Sequence, residues 1–131
     1  MFLLKRLVLA LLICVGAATS AQAADLTTIK NAGYGVTIAV TPQGKAGAGP
    51  EFKVVMDTHS QDLSDDLLKS AVLVDGAGNR HAPTAWEGAG PGGHHREGVL
   101  RFPPISATLS MELQITRPKE QSPRTFRWEL Q

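Results

Sequence analysis

A chain of 131 residues with thirteen Lys and Arg against twelve Asp and Glu has room for one small domain. Its near-neutral balance offers no electrostatic basis for binding nucleic acid or an anionic membrane surface. The single cysteine, Cys14, excludes an internal disulfide framework and a multi-cysteine metal or iron–sulfur centre.

Residues 1–23 read as a secretory signal peptide: Lys5 and Arg6, then the apolar run LVLALLICVGA, then the small-residue cleavage pattern Ala21-Gln22-Ala23. The run is shorter than the roughly 20 apolar residues of a spanning helix, so no stable membrane insertion is expected after cleavage. Cys14 follows Ile13 inside the apolar run, which is not where a lipidated cysteine sits. Cleavage after Ala23 leaves 108 residues with eleven basic and twelve acidic side chains and no thiol. A periplasmic or secreted protein is expected, stabilised by its core alone.

Residues 24–32 form a polar leader, and the domain is expected over 33–131. Val36, Ile38 and Val40 alternate in a first strand that Pro42 ends; PQGKAGAGP (42–50) connects it to a second, with Phe52, Val54 and Met56 inward. THSQDLSDDLLKS (58–70) reads as a loop with one helical turn, capped by Ser64 or Asp65. Residues 70–75 make a third strand, DGAGN (75–79) a hairpin turn, and 80–87 a fourth strand. Pro83 confines that strand to an edge or a bulge. The glycine-rich GAGPGGHHREG (88–98) is a loop, and 98–102 a fifth strand ended by Pro103 and Pro104. The sixth spans 108–115 with Leu109, Met111, Leu113 and Ile115 inward. The last spans 125–130 with Phe126, Trp128 and Leu130 inward. Trp86 is expected to pack beneath the glycine-rich loop.

Seven short strands separated by turns predict an all-β fold, an immunoglobulin-like antiparallel β-sandwich. DTHS (57–60), LVD (73–75), WEG (86–88), GGHHREGVLRF (92–102) and FRWEL (126–130) resemble a functionally uncharacterised family of small exported bacterial immunoglobulin-like proteins. The resemblance covers most of the mature chain. It implies the same fold and supplies no activity.

In such a sandwich the loops after the second, fourth and sixth strands gather at one end. That brings Asp57 and His59 to His94, His95, Arg96 and Glu97, and to Arg117, Lys119 and Arg124, with His81 at the other end. Neutral imidazole is the common ligand of zinc and copper, so His59, His94 and His95 with Asp57 form a candidate metal set. Tetrahedral zinc would require ligand bonds of roughly 2.0–2.2 Å. The bland alternative is that these histidines only hydrogen-bond the loops together. Arg96 and Glu97 are candidate contacts for a partner, and Arg117, Lys119 and Arg124 could hold an anion. Asp57, His59 and Ser60 are too close in sequence for a catalytic triad, and no nucleophile elbow surrounds Ser60. The expectation is therefore a non-enzymatic binding or accessory module of the cell envelope, with a periplasmic zinc or copper protein as the alternative.

Overall fold

The computed structural model describes residues 26–44 and 48–130; the signal-peptide reading lies outside them. The strands are β1 (Ile29–Gly33), β2 (Val36–Gln43), β3 (Glu51–Thr58), β4 (Ala71–Asp75), β5 (Arg80–His81), β6 (Ala85–Gly88), β7 (His95–Arg101), β8 (Ser110–Ile115) and β9 (Arg124–Glu129). One helical turn, α1 (Leu67–Ser70), precedes β4. Two antiparallel sheets form, ordered β1-β2-β3-β7-β6 and β5-β4-β8-β9. Leaving β1 aside, β2-β3-β7-β6 facing β4-β8-β9 has the strand order of an immunoglobulin-type sandwich. The all-β sandwich expected from the alternation is the observed architecture. No described helix is long and apolar enough to cross a membrane.

The inward residues are those the period of two selects. Val36, Ile38, Val40, Phe52, Val54, Met56, Leu73, Leu100, Leu113, Ile115 and Phe126 are at most 2% exposed. Phe52 centres the core, edge-on to Phe102 at 5.7 Å and tilted on Trp128 at 5.5 Å. The Trp128 indole N–H donates to the carbonyl of Thr27 at 2.8 Å, which satisfies its one polar atom.

Nine strands among the described residues replace the seven expected, for local reasons. β1 lies within the segment read as leader. It pairs with β2 from Ile29↔Val40 to Gly33↔Val36, and one large apolar residue, Ile29, gave little alternation to read. β2 runs through Pro42 because β1 has ended by then, so the missing N–H faces an open edge. The segment 80–87 breaks at Pro83: β5 joins β4 in one sheet and β6 joins β7 in the other. Each half is an edge strand, where a proline between them costs no ladder bond. The cap of α1 is Asp66, not Ser64 or Asp65; its Oδ1 accepts from the amide of Leu68 at 3.1 Å. Leu109 precedes β8 and is 69% exposed, so the alternation of that strand does not reach it.

Candidate functional site

Four connections meet at one end of the sandwich: the β1–β2 turn, residues 59–66 after β3, residues 89–94 between β6 and β7, and residues 116–123 between β8 and β9. Three arginines at this end are buried: Arg96 is 2%, Arg117 7% and Arg124 5% exposed. Each continues the inward parity of its strand. Arg96 lies two residues before Gly98 and four before Leu100, Arg117 two after Ile115, and Arg124 two before Phe126.

Arg96 donates to the carbonyls of Leu63 and Asp65 at 3.1 and 2.7 Å and to that of Ala89 at 3.2 Å. Its guanidinium stands 5.7 Å from the Trp86 ring centre, and no carboxylate among the described residues pairs with it. Carbonyl dipoles and the aromatic face replace part of the water it has lost, while its buried Nε has no hydrogen-bond partner among the described residues. Arg117 forks onto the fully buried Asp65 carboxylate at 2.9 and 3.0 Å and reaches the Asp62 carbonyl and Glu120. Burial pulls its pKa down, but the hydrogen bonds and charges of Asp65 and Glu120 outweigh that and hold it above the ordinary guanidinium value. Arg124 holds Glu120 with two bonds of 2.8 and 3.0 Å. It also donates to the carbonyls of Asn31, Gly33 and Val36 across the β1–β2 turn. The three side chains thus bind every connection at this end, from both sheets. Backbone bonds add to the frame: Thr58 N–H to the His94 carbonyl at 2.9 Å, and Gly92 N–H to that of Leu63 at 2.9 Å.

These placements correct the reading of Arg96, Arg117 and Arg124 as displayed rim charges. A buried arginine whose donors already face carbonyls and carboxylates has little left for a partner. The signal was present in the alternation; the glycine-rich segment masked it at Arg96, and the polar, proline-bearing stretch 116–124 at Arg117 and Arg124.

The same shift of boundary affects the histidines. His95, Arg96 and Glu97 belong to β7, so His95 and Glu97 share the outer face of the first sheet. The register sets Asp57 opposite His95 and Val55 opposite Glu97. His95 Nδ1 donates to Asp57 Oδ1 at 2.5 Å, and its Nε2 stands 3.5 Å from Glu97 Oε2. Lys53 meets Glu97 at 2.8 Å. The four side chains form a charged ladder on an open surface, each between 43% and 57% exposed. Asp57 raises the pKa of His95 by hydrogen bond and by charge, and Lys53 lowers that of Glu97.

His59 and His94 are exposed, and neither imidazole has a partner among the described residues. The segments carrying them are joined by the Thr58–His94 backbone bond, so they share the loop end. His95 is turned to its carboxylates instead. Among the described residues no group of three or more His, Cys, Asp or Glu is placed to hold a metal ion. Ser60 Oγ accepts from Gln61 Nε2 at 3.4 Å, and no hydrogen bond joins it to a histidine or carboxylate among the described residues. His81 lies at the opposite end. It is not simply solvated: its Nε2 donates to Asp75 Oδ2 at 2.9 Å. That bond, with the amides of Asn79 and Ala77, lowers the Asp75 pKa against the effect of burial.

Comparison of the chain with protein-family models, with curated proteins and with solved structures finds no match.

Proposed function

We propose that the protein is an exported, non-enzymatic binding module that engages a partner at the cell envelope through its histidine-bearing loop end. One contrast carries the reading. At that end three buried guanidiniums fix the loops, while the imidazoles of His59 and His94 stand exposed with no partner among the described residues. Loops ordered before binding lose little entropy when they bind, and a rigid scaffold presenting polar loop residues is the usual form of a recognition surface. Glu97 and Asp57 extend that surface down the outer face of β3 and β7. The leader sequence supports export.

Site-specific photo-cross-linking in intact cells tests this. A photoreactive residue at position 59 or 94 is expected to give a discrete adduct, and one at Ala77 or Leu109, at the opposite end, none. Equal labelling from both ends, or no adduct from 59 and 94, contradicts the reading.

A second reading, a zinc or copper site, draws on the Thr58–His94 bond, which sets His59 and His94 on adjoining segments. A metal held only by the folded state raises the melting midpoint, by about 2.7 kcal/mol of stability at a hundredfold excess over its Kd. The rise should vanish in His59→Ala/His94→Ala. No rise with either metal removes this reading and leaves the first intact.

A further inference from the structure

Two described residues other than glycine have left-handed backbone: Tyr34 (φ 51°) and Lys119 (φ 67°). Both line one cleft of about 460 Å³ at the loop end, between the β1–β2 turn, the segment after β3 and the β8–β9 loop.

The strain at Tyr34 is specific. The pairing of β1 and β2 closes at Gly33↔Val36, so Tyr34 and Gly35 form a two-residue hairpin turn. Both have positive φ, 51° and 75°. This is the turn in which asparagine, aspartate or glycine normally stands first, because a larger side chain crowds its own carbonyl there. The Gly35 position is explained by packing, since a Cβ there would come within 3.2 Å of Ser60 and Gln61. Tyr34 has no such explanation. It is 66% exposed, and its side chain makes no hydrogen bond or ring contact among the described residues. Strain kept without benefit to folding points to use in binding.

The walls of the cleft define that use. Tyr34 offers one flat aromatic face. Gln61, Asp62 and Ser64 add an amide, a carboxylate and a hydroxyl, and Lys119 an ammonium. Arg117 and Glu120 also line it, but they are committed to Asp65 and Arg124 and give it shape only. Among the described residues, an anionic ligand would meet Lys119 as its one uncommitted cation and the opposing charge of Asp62. An apolar ligand would find only Tyr34 and Pro118 among the polar groups that line the described cleft. A pyranose satisfies both features: its C–H face lies on an aromatic ring, and its hydroxyls donate to carboxylate and amide oxygens and accept from ammonium and amide N–H.

We infer that this cleft binds a saccharide, with the sugar stacked on Tyr34 and its hydroxyls held by Gln61, Asp62 and Ser64. The site is separate from His59 and His94 and stands whether or not those residues meet a partner.

A ¹H–¹⁵N NMR titration of the mature chain with chitotriose and with maltotriose tests it. Saturable shifts are expected at the amides of Tyr34, Gly35, Ser64 and Lys119 with at least one trisaccharide. Tyr34→Asn should weaken that binding about tenfold or more while raising Tm, because asparagine suits the turn. A ring held for structure alone would give the reverse, a lowered Tm. Absence of shifts at millimolar concentrations of both sugars, undiminished binding by Tyr34→Asn, or a fall in its Tm overturns the inference.

Discussion

His95 stands between two carboxylates, and its chemistry follows from that position more than from its neighbour His94. Its pKa lies above the ordinary 6.5 because Asp57 accepts its Nδ1 proton and adds a favourable charge. A raised folded-state value means that the contribution to stability is complete below 6.5 and is lost as pH rises through the folded pKa. Glu97 runs the other way: lowered from 4.5, chiefly by Lys53, it contributes above 4.5 and loses that contribution as pH falls through its folded value. Both act together between 4.5 and 6.5. The ladder is too exposed for either effect to be large. An NMR titration of the imidazole should therefore show a midpoint above 6.5 that Asp57→Asn brings down; a midpoint unmoved by that substitution contradicts the pairing. Part of this was legible in the sequence. Residues 95 and 97 share a face wherever the chain is extended, but that Asp57 lies opposite His95 depends on strand register, which no local pattern supplies.

Strands were legible in proportion to the large apolar residues they carry. β2, β3, β8 and β9 stand out by their alternation, whereas β1 has only Ile29, and β7 begins in a segment whose glycines suggest a loop. Extending the parity of Leu100 back through Gly98 reaches Arg96, and the same rule places Arg117 and Arg124 inward. Charge argued against that reading, yet all three are buried, with carbonyl or carboxylate acceptors for their terminal guanidinium nitrogens. The glycines of the β6–β7 pair have a steric reason. Gly88 faces Gly98, and a Cβ on Gly98 would stand 2.7 Å from the Trp86 ring and 2.8 Å from the Glu87 carbonyl. Trp86 thus lies over Gly98 beside Arg96. Gly98→Ala should cost about 1–3 kcal/mol by overpacking, whereas Gly90→Ala, with nothing within 4 Å of the new Cβ, should leave the denaturation midpoint nearly unchanged. Equal midpoints for the two variants would refute this packing.

At the scale of the whole molecule, alternation and turn chemistry led to the sandwich and to the gathering of loops at one end, because both follow from general chain geometry. The arginine frame did not emerge, since it depends on which connection meets which across the two sheets, and the Tyr34 turn did not because β1 lies in the segment read as leader. Arg96, Arg117 and Arg124 make the loop end a fixed platform. Amide hydrogen exchange, followed in the wild-type protein and in Arg117→Ala, tests it most directly. The amides of Thr58, Gln61 and Gly92 should exchange slowly in the wild type. Arg117→Ala, which strands the buried Asp65 carboxylate, should lose about 3–5 kcal/mol of stability and release those amides first. Wild-type amides exchanging at the rate of an unstructured chain, or an Arg117→Ala protein as protected as the wild type, would contradict it.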